Sequence, residues 1–187
     1  MFIVIAAAAF YGKSTALLSD SLDNLGDALT YGLSLFAVSK GPATKARVAL
    51  FKGGLIFIAA SLVVAQIIHR LVSPALPSFE VMSIFSLAGL AANGMCLFLL
   101  WRHRHEDINM SSVFECSRND IASNLSVILA AIGVWAFDSG IPDIIIATLL
   151  AALLLNSSAR VITRAISELT QTRKPLNSVG ANKAPPG

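Results

Sequence analysis

Three aspartates recur within one short stretch of an otherwise apolar segment, at Asp20, Asp23 and Asp27. At about 100° per residue, offsets of three and seven residues return to nearly the same face of a helix, so the three carboxylates form one stripe. An ionisable side chain at the bilayer centre costs about 2.5–3.5 kcal/mol on insertion scales. Like charges in a medium of low dielectric also repel one another, and residues 17–38 contain no lysine or arginine. A metal cation or protons must therefore neutralise the stripe.

A second polar face lies in a later apolar segment, where Cys116, Asp120 and Asn124 recur every four residues, with Asn119 and Ser123 beside them. Two carboxylates from one helix, with a thiol and a carboxylate from another, can form a four-ligand metal site. Zinc takes sulfur, nitrogen and oxygen ligands in a tetrahedral arrangement. A thiolate favours zinc or cadmium over magnesium or calcium. Because these ligands lose protons when a metal binds, such a site also offers a route to proton coupling.

Structural roles compete with the metal-site interpretation at several of these positions. Asp20 is either a water-facing cap at the start of a helix or part of the access to the site. Cys116 is either a ligand or a buried residue that behaves as a small hydrophobe. If Cys116 is not a ligand, the side-chain carbonyl oxygen of Asn119 can complete the metal shell. We expect Asn124 and Ser123 to form hydrogen bonds between helices.

The composition favours a membrane protein over a soluble one. Of the 187 residues, 55% are hydrophobic and 13% are charged, whereas a soluble domain is typically about 25% charged. The expected partner is therefore a lipid bilayer, and a net charge of +3 gives no indication of a nucleic-acid partner. An intramembrane enzyme would need a nucleophile and base pair or a zinc motif such as His-Glu-x-x-His. The sequence contains no such motif, so we do not expect an enzyme.

The apolar segments predict the fold class, an all-α integral membrane protein with a bundle of six transmembrane helices. A helix needs about 20 apolar residues to cross the hydrocarbon core. Four segments meet this length, at residues 50–72, 79–101, 113–137 and 141–166. A less apolar helix, about residues 17–38, carries the three aspartates. The first helix begins at Met1, and either continues to near Leu18 or is incomplete at its start.

Basic residues predict the orientation of the bundle. They follow the second, fourth and sixth predicted helices, in connections that carry Lys40, Lys45, Arg47, Lys52, Arg102, Arg104, Arg173, Lys174 and Lys183. Cytoplasmic loops are enriched in lysine and arginine, so we expect both termini in the cytoplasm. The predicted domains are a transmembrane domain of residues 1–169 and a polar, proline-containing tail of residues 170–187, which we expect to be disordered.

Residues 14–20, with the sequence Ser-Thr-Ala-Leu-Leu-Ser-Asp, and the following Asp23 and Asp27 resemble the opening of the cation diffusion facilitator family. The metal-binding pair of that family on its second helix corresponds to Asp23 and Asp27, and the partner pair on its fifth helix corresponds to Cys116 and Asp120. Asp20, Asn119 and Asn124 are then candidates for a second shell or for access to the site.

The resemblance covers most of the chain, to about residue 169, and implies a six-helix bundle of the cation efflux type that forms a homodimer. It implies export of a divalent metal from the cytoplasm by proton antiport and alternating access. Zinc is the first candidate for the cargo, followed by cadmium and cobalt, and no cofactor is expected. The alternative is a membrane-embedded metal-binding or sensing subunit without transport activity.

Two features depart from the family pattern. Cys116 stands where the family usually has His or Asp, so the ligand set and the metal preference do not follow directly from the resemblance. The sequence also lacks the cytoplasmic domain that usually follows the sixth helix. We therefore expect a short form of the family, placed in the inner membrane of a bacterium.

Overall fold

The computed structural model describes residues 1–37, 41–101 and 108–173, without the side chains at positions 31, 34–37, 42, 100, 108–116 and 171–173. These ranges are almost entirely helical. Their helices are α1 (Phe2–Tyr11), α2 (Thr15–Ala37), α3 (Pro42–Val72), α4 (Phe79–Leu100), α5 (Ile108–Phe137) and α6 (Ile141–Arg173). The chain is thus an all-α bundle, as the sequence predicts.

Four of the helices are long and apolar enough to cross a membrane. The spans are Ala43–Val72, Phe79–Leu99, Ser117–Phe137 and Ile141–Thr170, within α3, α4, α5 and α6. α1 is a shorter apolar helix of ten residues, and the three aspartates lower the hydropathy of α2. These four spans coincide with the four apolar segments expected from the sequence, because length and hydropathy are local properties of a segment.

The acid-bearing helix α2 lies inside the bundle. α3 packs along α6 and α4 packs along α5, while α2 contacts α1, α3, α5 and α6. Large apolar side chains on the other helices are exposed, for example Leu62, Phe98 and Trp135. Exposed apolar side chains are what a lipid solvent requires, and polar side chains then face the interior. The packing therefore shelters the aspartates of α2 from lipid.

The two ends of the bundle differ in their packing and charge. We call the end where α2 and α6 begin the Asp143 end, and the opposite end, which carries Lys45, Arg47, Arg160 and Arg164, the basic end. The main buried apolar cluster draws on all six helices, and it includes Ile5, Leu17, Val63, Met82, Val127, Ala130, Ala131, Ala147 and Ala151. Its many alanines let helix backbones approach closely. This cluster fills the bundle toward the Asp143 end.

The first helix does not continue to Leu18, so that expectation is wrong. α1 ends at Tyr11, and the backbone N–H of Gly12 donates to Ala8 O at 2.7 Å. Lys13 then adopts a left-handed backbone conformation with φ of 54°, a conformation that commonly ends a helix. A side chain at Gly12 would also collide with Val81 of α4. The chain therefore turns here and begins α2 at Thr15.

The basic residues expected in the connection after the second helix lie instead within α3, with the exception of Lys40, which is outside the described residues. α3 begins at Pro42, and proline is well suited to the first turn of a helix because its missing N–H would be unpaired there. Lys45, Arg47 and Lys52 thus belong to a helix of 31 residues, about 46 Å long at 1.5 Å per residue. This length exceeds the roughly 30 Å hydrocarbon core, so the basic turns of α3 can extend into the interface.

A glycine allows α3 and α6 to touch. A Cβ at Gly53 would lie 2.7 Å from Ile162 Cγ1, and the Ser158 hydroxyl donates to Gly53 O at 2.9 Å. A Cβ added to the neighbouring Gly54 would have no atom within 4 Å. Gly89 also allows a close approach, since a Cβ there would overlap the side chain of Asn124, whereas Gly94 faces open space.

We predict that Gly53→Ala lowers the free energy of unfolding by about 1–3 kcal/mol, because overpacking forces a shift of α6. Gly54→Ala is the matched control, since it adds the same methyl group to the same helix in open space. It should leave stability unchanged or raise it by up to about 1 kcal/mol through helix propensity. Thermal unfolding of both variants in detergent tests this difference. Equal melting temperatures would contradict the close α3–α6 contact.

Candidate metal site

A cavity of about 400 Å³ lies between α2, α5 and α6. Asp23 and Asp27 reach it from α2, and Asp120 reaches it from α5. The other lining residues supply hydroxyl, amide and apolar groups and one cation, from Ser19, Asn119, Ala122, Ser123, Ser126, Leu149, Leu150, Leu153, Leu154, Ser157 and Arg160. The structure thus brings three of the four predicted metal ligands to one cavity.

The carboxyls of Asp27 and Asp120 form a pair across the α2–α5 boundary. The two side chains are within hydrogen-bonding reach of each other. Two carboxyl groups can approach this closely only when a proton or another cation lies between them, because two bare carboxylates repel. The pair is therefore a place where a proton and a metal ion can compete for the same oxygen atoms.

The predicted ligands do not form a closed metal shell. Among the described side chains, no three of type His, Cys, Asp or Glu converge closely enough to hold one ion together. The fourth predicted ligand, Cys116, belongs to α5, one turn before Asp120, but its side chain lies outside the described residues. The ligand set of Asp23, Asp27, Cys116 and Asp120 stays a prediction, and binding would require the carboxylates to draw together.

The structure separates the three residues that we expected around the site. Asn119 is exposed and lines the cavity. Asn124 is fully buried, and its Nδ2 donates to Asp120 O at 2.7 Å within α5. Its Oδ1 lies against the position that a Cβ of Gly89 would occupy and has no hydrogen-bond partner among the described residues. The expected bond from Asn124 to another helix is therefore not formed.

Asp20 is not a water-facing helix cap, so that alternative is wrong. It lies in the second turn of α2, five residues after the helix begins at Thr15, and only 1% of its surface is exposed. The side chains that cap this helix are those of Ser14 and Asp143. Asp20 is therefore a buried acid of the bundle interior, and its role must be sought there.

Arg160 is a cavity residue that the sequence analysis missed. It projects from α6 and lines the cavity together with the three aspartates, and it is itself exposed. Arg160 lies on α6 and not on the acid-bearing helix, so the charges within residues 17–38 give no indication of it. Its position within a long apolar helix was the available signal, since a charge there usually faces the bundle interior or a water-filled space. Its guanidinium adds a positive charge to a lining whose other charged residues are the three aspartates.

The helix that carries the site is anchored by Asp143. The Ser14 hydroxyl donates to Asp143 Oδ1 at 2.6 Å, the Thr15 N–H donates to Oδ2 at 2.8 Å, and the Ala16 N–H donates to Oδ1 at 3.1 Å. The carboxylate, which is 1% exposed, thus satisfies the free N–H groups at the start of α2. Its negative charge also suits the positive end of the helix dipole, and Arg70 of α3 lies near it.

This anchor fixes α2 relative to α6 at the Asp143 end. The sequence analysis did not identify it, because the partners are 129 residues apart and helical spacing carries no information about such a contact. Asp143 is the third residue of α6, and its side chain is buried. The anchor determines the height and rotation at which α2 presents Asp23 and Asp27.

We predict that Asp143→Asn destabilises the protein by about 1–3 kcal/mol, because an amide cannot accept all three hydrogen bonds and leaves a buried donor unpaired. Asp138→Asn is the matched control. Asp138 is exposed and has a left-handed backbone with φ of 45°, a conformation that asparagine tolerates well. Thermal unfolding in detergent should separate the two variants. An equal loss of stability in both variants would contradict the anchoring role of Asp143.

Apolar spans around an internal cavity lined by carboxylates define a multi-pass membrane protein of the kind that moves cations, since ionisable groups inside a bundle mark ion pathways. The family model of the cation efflux transmembrane domain matches residues 1–170. The chain belongs to this family, which confirms its resemblance to the cation diffusion facilitators. The family is one of transporters and not of enzymes, and the chain is a cation transporter. No curated protein matches the chain.

Proposed function

We propose that the protein exports a divalent metal ion, with zinc as the first candidate and cadmium and cobalt as alternatives, in exchange for protons. The observation that carries the proposal is the meeting of Asp23, Asp27 and Asp120 in one cavity between helices. Three carboxylates in a low-dielectric bundle require cations to balance them. A divalent ion with protons on the return step supplies that balance.

The proposed cargo site combines Asp23, Asp27 and Asp120 with Cys116. Zinc accepts carboxylate oxygen and thiolate sulfur in a four-coordinate shell. Asn119 lines the same cavity and offers an amide oxygen as an alternative fourth ligand. Because the carboxylates are spread along the cavity wall, a bound ion would pull α2 and α5 together. Such a movement gives the ion a way to bias the conformation of the bundle.

Proton coupling follows from the contact between Asp27 and Asp120. A metal ion that binds these carboxylates must displace the proton they share, because ligands lose protons when they bind a metal. Protons that return to the pair from the other side would in turn release the ion. The stoichiometry of exchange then depends on how many carboxyl groups become protonated when the cavity is empty.

The proposed direction of metal transport is from the basic end of the bundle to the Asp143 end. Lysine and arginine are enriched on the cytoplasmic side of membrane proteins, so we assign the basic end to the cytoplasm. Asn119 and Arg160 are exposed and line the cavity, which supports access to it from that side. The apolar cluster and the Asp143 anchor close the other end. This arrangement corresponds to an inward-facing step of alternating access, in a protein that we expect to work as a homodimer.

We predict that proteoliposomes containing the protein take up zinc when a pH gradient is imposed, and that Asp27→Asn and Asp120→Asn each lower the rate at least tenfold. Loss of a group that only supports a metal ligand already costs about 10–100-fold in affinity or activity, so loss of a ligand should cost no less. Asp138→Asn at the exposed turn is the control with the same chemical change, and it should retain the parent rate.

Two results would count against this function. Unchanged flux in both variants would remove the cavity carboxylates from the transport path. Stoichiometric zinc binding in detergent without flux in vesicles would favour the metal-binding or sensing subunit instead. Parallel assays with cadmium and cobalt then rank the cargo, and they show whether absence of zinc flux reflects the wrong ion rather than the wrong activity.

A further inference from the structure

Asp20 is a buried acid without a hydrogen-bond partner. Its side chain is 1% exposed, and neither carboxylate oxygen forms a hydrogen bond with any described residue. Asp143 is buried to the same extent, yet it accepts three hydrogen bonds. Buried polar groups in native proteins nearly always have partners, and an isolated buried charge is far more expensive than a neutral group. The carboxylate of Asp20 therefore indicates a ligand.

The surroundings of Asp20 connect it to the cavity. Asp20 precedes Asp23 by three residues, which is about 4.5 Å along the helix axis toward the Asp143 end. Across the α2–α5 boundary, the Ser123 hydroxyl faces the Asp20 carboxyl, although the two form no hydrogen bond of regular geometry. Ser123 also lines the cavity. An ion that leaves the cavity past Ser123 would thus meet the carboxylate of Asp20 next.

We propose that Asp20 and Ser123 form a second binding site for the transported divalent cation, one helical turn beyond Asp23 on the way to the Asp143 end. This inference rests on the proposed function, because it identifies where the same cargo goes after the cavity. The donors are a carboxylate that can bind through both oxygens and a hydroxyl, with water completing the shell. Zinc accepts carboxylate oxygen as a ligand, and the hydroxyl would add a neutral oxygen donor.

The charges of the four acids fit two ions in series. Asp20, Asp23, Asp27 and Asp120 together carry four negative charges when ionised. The thiolate proposed at Cys116 adds one negative charge and Arg160 adds one positive charge, so the sum still equals the charge of two divalent cations. One divalent ion in the cavity would leave two of these negative charges unbalanced, one of them on Asp20. Two adjacent sites also help release, because an ion that enters the first site repels the ion in the second, as in conduction through several neighbouring sites.

Polar atoms also continue beside Asp20 toward the Asp143 end. Thr15, Ser19 and Asp23 are spaced by four residues and share one face of α2. Thr15 is 1% exposed, and its Oγ1 has no described hydrogen-bond partner. The Ser19 hydroxyl donates to Thr15 O at 3.0 Å. A row of oxygen atoms therefore runs from Asp23 toward the Asp143 end, on the face of α2 beside the one that carries Asp20.

Equilibrium binding of radioactive zinc to the full chain in detergent tests the proposal. We expect two zinc ions per parent chain at saturation, one per chain in Asp20→Asn, one in Asp27→Asn, and none in the double variant. Asparagine has nearly the shape of aspartate, and Asp27→Asn probes the second site in a chain whose Asp20 is intact. Asp138→Asn is the control for the chemical change and should keep both ions.

A separate substitution tests the contribution of the Ser123 hydroxyl to the second site. Ser123→Ala should weaken binding of the second zinc about tenfold, equivalent to about 1.4 kcal/mol. Ser61→Ala is the matched control, because its hydroxyl is exposed and donates to Phe57 O of its own helix at 2.8 Å. Equal effects of the two serine substitutions would remove Ser123 from the site.

The outcomes distinguish this inference from the proposed function. The same number of bound ions in the parent and in Asp20→Asn overturns the second site, and it identifies Asp20 as a protonated structural residue. Fewer than two ions per parent chain, with both zinc and cadmium as probes, also overturns it. If flux persists in that case, the proposed function stands without the second site. Two bound ions without flux would support the site and reject transport.

Discussion

A carboxylate that is removed from water needs a partner, and the aspartates of this bundle are distinguished by the partner that each one has. Asp143 accepts hydrogen bonds from a hydroxyl and two backbone N–H groups, so its charge is already compensated and it serves as an anchor. Asp27 and Asp120 have each other, which requires a shared proton or cation. Asp20 has no described partner. The first kind of acid holds the fold together, whereas the other two kinds need a proton or a cation to balance them.

The same constraint explains the arrangement of the helices. α2 cannot face lipid with its acids, so it lies against α1, α3, α5 and α6. Four other helices then supply the apolar surface that a bilayer requires. At the Asp143 end the space around α2 is filled by alanines and branched side chains. Toward the basic end it is left as a cavity. One helix thereby joins a closed half of the bundle to an accessible half.

The sequence could predict what is local in this fold and could not predict which helices meet. Apolar length identified the spans in α3 to α6, and helical periodicity placed Asp23 with Asp27 and Asp120 with Cys116. Periodicity gives the face of a helix but not the neighbour that covers it. The contact of Ser14 with Asp143 and the position of Arg160 in the cavity therefore required the structure. The same is true of Asp20. Its place near the start of a helix was compatible with a cap, but packing against α5 buries the side chain.

The hydrogen bonds at the Asp143 end indicate where the bundle can open. α2 is tied to α6 there by the anchor at Asp143 and by the Ser19 hydroxyl, which lies 3.5 Å from Ala147 O. Across the α2–α5 boundary, Asp20 and Ser123 face each other without such a bond in the described structure. Separating α2 from α5 therefore breaks fewer polar contacts at this level than separating α2 from α6. A path that opens between α2 and α5 would pass directly over Asp20, because its carboxylate lies on that boundary. Asp20 thus lies at a level of the α2–α5 boundary where the described residues form no hydrogen bond, and a cation bound there would take the place of the missing contact while the path is closed.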